Sequence, residues 1–426
     1  METASEFKIN LREMITAIET TVSLVGMNDT NHGKRVGYIA YQLGHELGYS
    51  KQDLQFLFEL GMLHDCGVST NQMHVNLVTH FDWGQANIHC EVGYQLLKDF
   101  QPLAHFAQPI LYHHTPWKDL TKMNIPPRDA LMANLIYLAD RIDVLSAAHY
   151  GSDILVAKNQ LVTTLTEESE GYFNPDFVDA FLSLEKSESF WIALEDRHIS
   201  RYVWDMSKIK SDTCISLKQL KHLSLIMAYI VDQKSAFTAL HSARVAELAK
   251  FLAKMYGMPA AQCEKIEIAG LLHDLGKLHT PDEILEKPGP LDETERAIMN
   301  QHSYETFEIL RRISGLEEIA HWAAFHHEGL NGGGYPFHPS EQELCTEARI
   351  IAVADVFQAL VQDRPYRKGM ALDKVLAILS DMVAIGKLDH TLVELAIKHQ
   401  DKCFSIAGNN QHTTSLFDLH KLSTPS

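Results

Sequence analysis

The chain has 426 residues, with 37 Lys and Arg against 55 Asp and Glu, a formal net charge of −18. That acidic balance excludes duplex nucleic acid or an anionic membrane as the main partner, since both need a basic face. A hydrophobic content of 46% with 22% charged residues excludes chain-wide disorder, and the length suits two or three domains.

In chain order, the N-terminus (METASEFKINLREM) has no apolar stretch behind a basic one. No run of about 18 apolar residues follows anywhere, so a cytoplasmic chain without a membrane span is expected. The six cysteines are scattered without a C-x-x-C pair, which suits a reducing compartment. Histidine is the excess residue, at 24. His32 opens an apolar, helix-periodic segment, and GMLHDCGVS (61–69) brings His64 and Asp65. His89 starts HCEVGYQLL, the doublet His113–His114 follows, and Asp140 lies in YLADRID after a loop at 124–129.

A polar stretch near 205–215 reads as a linker, and then the pattern returns. His241 stands 209 residues after His32, and GLLHDLGKL (270–278) places His273 and Asp274 at the same offset. His302 and the doublet His326–His327 stand at 213 from their counterparts, and Asp355 at 215. The offset grows by small insertions at loops such as 286–292 and 329–340. Five histidines and two aspartates matched in one order mean an internal duplication. The expected division is 1–205 for the first domain, 206–215 for the linker, 216–410 for the second domain and 411–426 for a polar tail. The apolar positions recur at helical spacing (His241, Val245, Leu248; Ile266, Gly270, His273), with no alternating runs. The expected fold class is therefore all-α, with two tandem helical bundles.

Five imidazoles and two carboxylates on inward faces are costly to bury unless cations compensate them. Seven ligands exceed one tetrahedral site and suit two ions with one bridging carboxylate. The expected assignment is His241, His273, Asp274 and Asp355 around one ion, and Asp274, His302, His326 and His327 around the other. Mixed nitrogen and oxygen ligands favour Fe or Mn, with Zn, Ni, Co or Mg as alternatives. The first repeat carries the same inventory in His32, His64, Asp65, His89, His113, His114 and Asp140, and is expected to hold one or two more ions. A two-ion clamp suits phosphoester hydrolysis by a bridging hydroxide. Lys277, one turn after His273, is placed to hold a phosphate oxygen.

These motifs resemble the HD-domain metal-dependent phosphohydrolases. The second repeat resembles their HD-GYP subfamily through His241, His273-Asp274 with Lys277, His302, HHEGLNGGGYP (326–336) and IIAVADVFQALVQDRPYR (350–367). The resemblance implies helical bundles and a phosphodiesterase that opens a cyclic dinucleotide, cyclic di-GMP or 3′,3′-cyclic GMP-AMP, to the linear form. Asp274 and Lys277 are the expected catalytic pair. Gly333, Gly334, Tyr335, Arg364, Arg367 and Lys368 are the expected substrate contacts. Some relatives hold a third metal with a glutamate four residues before the first histidine; here that residue is Phe237, and Asp232 is no assured substitute, so two ions are expected. The first repeat reads HHTPWKDL in place of the Gly-rich loop and has Val68 in place of Lys277. It is expected to be a degenerate HD domain that regulates or dimerises, with a homodimer as one option, or that removes the 5′-phosphate of the linear product.

Overall fold

The computed structural model describes residues 9–24, 31–68, 77, 87–207, 214–234, 240–363 and 368–408. These residues are nearly all helical. Those from Leu11 to Ser207 make one compact unit, and those from Cys214 to Gly408, joined by Ile9–Asn10, make another. Both units are all-α bundles built on the same plan. Among the described residues no helix is long and apolar enough to cross a membrane.

The helices of the two units correspond in order. Leu11–Ser23, His32–Glu46, Lys51–Leu63, Asn87–Leu97, Ala104–Tyr112 and Pro127–Ser146 form the first set. Leu217–Gln233, His241–Tyr256, Ala260–Leu272, Glu293–Leu310, Glu317–Ala324 and Thr346–Val361 form the second. Local sequence starts several of them: Ser216 with Gln219 and Asp292 with Glu295 are reciprocal capping boxes. The expected inward stripes are buried, with Val245, Leu248, Ile266, Ile319, Ala323 and Ile351 at most 1% exposed. The helix His241–Tyr256 packs on both Ala260–Leu272 and Thr346–Val361, as His32–Glu46 packs on Lys51–Leu63 and Pro127–Ser146.

Two features depart from the sequence reading. One antiparallel pair, Ile9 with Ile215 and Asn10 with Cys214, makes a two-residue ribbon where no sheet was expected. It joins residues 9–10 to the unit that starts at Cys214, although their place in the sequence put them with the first repeat. Two helices of the second unit also end before motif histidines instead of running through them. Ala260–Leu272 stops before His273, and Glu317–Ala324 stops before His326. In each case the imidazole Nδ1 donates to the carbonyl three residues back, at 2.7 Å to Gly270 and 2.6 Å to Ala323. The side chain thereby satisfies a carbonyl that the ending helix leaves open.

The turn after each His-Asp pair is locked onto the next histidine helix. A Cβ on Gly67 would lie 2.0 Å from the His89 carbonyl oxygen, and one on Gly276 2.0 Å from that of His302. Only glycine allows this approach, which fixes the aspartate against the third histidine. Gly67→Ala and Gly276→Ala are each expected to lower unfolding stability by about 1–3 kcal/mol, the usual cost of overpacking. Gly289→Ala, which meets nothing within 4 Å, should be near neutral in the same denaturant titration. Equal effects at all three positions would contradict the packing argument.

Candidate metal centres

In the second unit, the end of Ala260–Leu272 delivers His273 and Asp274, and the start of His241–Tyr256 delivers His241. The two oxygens of Asp274 face different groups. Oδ2 lies 3.4 Å from His241 Nε2 and 3.3 Å from His273 Nε2. Oδ1 lies 3.7 Å from His302 Nε2 and 3.9 Å from His326 Nε2. Asp355 Oδ1 completes the first group, 3.3 Å from His241 Nε2. His302, His326 and His327 form the second group, and within each group the ligand atoms lie within 4.8 Å of one another.

The imidazoles are oriented by their other nitrogens. Nδ1 of His273, His302 and His326 donates to the carbonyls of Gly270, Met299 and Ala323, and that of His241 to Gln358 Oε1 at 2.6 Å. This fixes the tautomer so that Nε2 presents a lone pair inward. Nε2 of His241, His273 and His326 and Oδ1 of Asp274 are buried with no hydrogen-bond partner. Convergent buried lone pairs of this kind are costly alone and fit divalent cations.

The protonation states of His302, His326, Asp274 and Asp355 agree with ligation, whereas His241 has to lose a proton to ligate. Burial, and then Lys277, hold His302 down at about 4; burial, and then His273, hold His326 at about 3. Burial disfavours the Asp274 and Asp355 carboxylates, but the surrounding histidines outweigh it and keep both well below the usual range. Burial also disfavours a charged His241, yet Asp274 and Asp355 hold it up at about 9. Lys277 lies in the short 3₁₀ turn Leu275–His279, and its Nζ donates to Asp274 Oδ2 at 2.5 Å.

The first unit repeats the arrangement. Asp65 Oδ2 lies 3.6 Å from His32 Nε2 and 3.5 Å from His64 Nε2, while Oδ1 lies 3.2 Å from His89 Nε2 and 4.0 Å from His113 Nε2. Asp140 Oδ1 is 3.4 Å from His32 Nε2, and His114 Nε2 is 3.9 Å from Asp140 Oδ2. Differences lie just outside the ligands. His32 Nδ1 donates to the carboxylate of Asp143 at 2.7 Å, where His241 has the amide of Gln358. Arg141 donates to Asp140 Oδ2 at 2.7 Å, and Val68 is fully buried where Lys277 reaches the centre.

Beside the second centre runs the segment 328–338. Tyr335 lies with its ring centroid 4.8 Å from His327 and 6.1 Å from His302. Gly332 has φ +69°, and a Cβ on Gly334 would lie 2.4 Å from the His327 carbonyl oxygen. Two residues missed by the sequence reading hold this loop. Buried Glu328 accepts from the Phe337 amide at 2.7 Å, and Asn331 donates to the Ile385 carbonyl and accepts from the Gly333 amide, both at 2.8 Å. Their sequence signal was only their place within the loop. Lys368 is exposed. Arg364, Arg367 and Phe237 lie outside the described residues. Asp232 is buried and accepts from Ser242 Oγ at 2.8 Å.

Two HD-domain family models match the chain, over residues 30–145 and 225–392. A 3′3′-cGAMP-specific phosphodiesterase 1 of Vibrio cholerae is 36% identical over 407 residues, 94% of each chain. The chain belongs to the HD-domain phosphohydrolases. Its second HD domain is of the HD-GYP type. A cyclic di-GMP phosphodiesterase of Pseudomonas aeruginosa is 35% identical over 36% of this chain and 38% of its own. The crystal structure of a cyclic GMP-AMP-specific phosphodiesterase of V. cholerae shares the fold, with TM-score 0.63 and 23% identity over 92% of this chain and 98% of that one. HD domains are metal-dependent, and both HD domains here carry His/Asp groups able to hold metal.

Metal uptake by the chelator-stripped protein is expected to release protons, because His241 and His32 both sit near 9. A lower pH leaves both rings protonated, so Mn affinity should rise between pH 7 and 9, by about tenfold per unit for each displaced proton. Titration calorimetry in buffers of different ionisation enthalpy counts those protons, and pH-independent uptake would contradict the assignment.

Proposed function

We propose that the chain is a metal-dependent phosphodiesterase that opens a cyclic dinucleotide to its linear form in the second HD domain. The observation that carries this is Asp274, whose two oxygens serve two separate three-ligand groups beside a Gly-rich loop. The relative spanning both domains is named for 3′3′-cGAMP, whereas relatives named for cyclic di-GMP match a smaller part of the chain. We therefore place 3′,3′-cyclic GMP-AMP first and cyclic di-GMP second as substrates.

His241, His273, Asp274 and Asp355 would hold one ion, and Asp274, His302, His326 and His327 the other. Their mixed nitrogen and oxygen donors suit Fe or Mn. When bound, such a pair supplies an activated water and neutralises the phosphate charge. The chain's own groups do the rest. Lys277, at the partly open edge of the centre, brings an ammonium beside Asp274 and a proton at Nζ for the departing ribose oxygen. Tyr335 walls the second group, and burial keeps its hydroxyl protonated as a donor. Glu328 and Asn331 hold the 328–338 loop in place, and the Gly333 and Gly334 backbones line the substrate side. The first HD domain lacks the loop and the lysine, so its ions serve a separate role in the chain.

The test follows turnover of both cyclic dinucleotides to final product. His273→Ala with Asp274→Ala should cut linear dinucleotide release by more than about 10²-fold, the scale of losing one group that stabilises the transition state. His64→Ala with Asp65→Ala should leave ring opening intact. Undiminished release from a folded His273/Asp274 variant would reject the assignment of the chemistry to this domain.

A further inference from the structure

The two domains place different groups behind the first histidine of each centre. Asp143 stands three residues after Asp140 on the helix Pro127–Ser146, and Gln358 three residues after Asp355 on Thr346–Val361. Both side chains are fully buried. Asp143 Oδ2 accepts from His32 Nδ1 at 2.7 Å, whereas His241 Nδ1 donates to the neutral amide oxygen of Gln358 at 2.6 Å. The bonds match in length and differ in the charge of the acceptor.

The carboxylate is firmly held. Its Oδ1 accepts from Arg35 Nε at 2.7 Å and from the Tyr150 hydroxyl at 2.6 Å. Arg35 is itself buried, lies over the Tyr150 ring at 4.3 Å and donates to Asp196 Oδ1 at 3.0 Å. His32, Arg35 and Tyr150 thus fix Asp143 with Oδ2 turned to the imidazole. Gln358 has less support, since its Nε2 is buried with no hydrogen-bond partner.

The centres also differ at the aspartate between the two ligand groups. Lys277 Nζ sits 2.5 Å from Asp274 Oδ2, an oxygen that would bind an ion, so the ammonium competes with the ion for it. Val68 takes that place in the first domain, and among the described residues no Lys or Arg pairs with Asp65. The cations of the first domain, Arg35 and Arg141, bond to Asp143 Oδ1 and Asp140 Oδ2 and leave Asp140 Oδ1 facing His32 Nε2 at 3.4 Å.

We propose that Asp143 and Gln358 are positioning residues that set unequal metal affinities, so that the first HD domain retains its metal under conditions that strip the second. The proposal rests on the reading of both His/Asp clusters as metal centres. A carboxylate behind an imidazole polarises its N–H and raises the basicity of Nε2, which strengthens the bond to a cation; a neutral amide does so less. The first domain then keeps a resident ion, while the second exchanges its ions with the medium.

The test uses full-length protein loaded with Mn(II), dialysed against graded EDTA and counted by elemental analysis. His273→Ala with Asp274→Ala leaves the first centre to be read alone, and His64→Ala with Asp65→Ala the second. Half-loss of Mn from the first is expected at an EDTA concentration at least about tenfold higher. Asp143→Asn should lower retention in the first centre by about 10–100-fold, the usual cost of losing an outer partner of a ligating histidine. Gln358→Glu should raise retention in the second by about tenfold or more, a gain that no folding defect imitates. Equal retention by the two centres, or Gln358→Glu without a gain, overturns the proposal while both remain metal centres. If the His273/Asp274 variant holds no Mn, the first domain is no metal site and the proposal falls with that premise. If the His64/Asp65 variant holds none, the assignment of metal to the second domain fails instead and takes the proposal with it.

Discussion

The hydrogen bond from each imidazole Nδ1 is the constraint on which both centres depend. In His64, His113, His273, His302 and His326 it runs to the carbonyl three residues back, at 2.6–2.7 Å. One bond does three things. It ends the helix by taking a carbonyl of the last turn or fixes the ring on its surface, it chooses the tautomer, and it turns Nε2 towards a single point. The buried lone pairs that result repel one another, and against the effect of burial Asp143 draws a proton onto His32, as Asp274 and Asp355 do onto His241. Divalent cations would resolve that conflict.

The repeats share this inner architecture and diverge around it. Asp65 and Asp274 divide their oxygens between two groups in the same way. Outside that shell, the first domain has a carboxylate on His32, a guanidinium on Asp140 and an apolar residue at 68. The second has an amide on His241, a lysine on Asp274 and a loop tied down by Glu328 and Asn331. Changes of this kind leave the clustered His and Asp side chains in place and alter what surrounds them. Tyr335 packs beside His327 and His302 at the second centre, whereas residues 116–120 of the first domain close into a short helix, Trp117–Leu120, whose first amides bond to Gly171 and Tyr172.

The ligand inventory was legible because it depends on residue type and spacing, and both survive duplication. His-Asp pairs at one offset and doublets at another need no tertiary knowledge. What lay hidden depends on partners distant in sequence. Gln358 is 117 residues from His241, and Asp143 is 111 from His32. The Ile9–Ile215 ribbon pairs segments too short to show alternation. The helix ends at His273 and His326 were obscured because periodicity continues smoothly through them, while the side-chain bond that stops the helix has no signature in the apolar pattern.

The net charge of −18 is compatible with an anionic substrate once charge is counted locally. Two divalent ions against Asp274 and Asp355 leave the second centre at about +2, and Lys277 raises it further. Neutral imidazoles add nothing, which is why His302 and His326 must sit so low. A phosphodiester would therefore meet a locally positive centre in an acidic protein. The first centre carries its cation differently: Arg141 is buried and bound to Asp140 instead of standing at an open edge. One duplicated arrangement of histidines and aspartates thus keeps its inner geometry while the charge placed beside it changes.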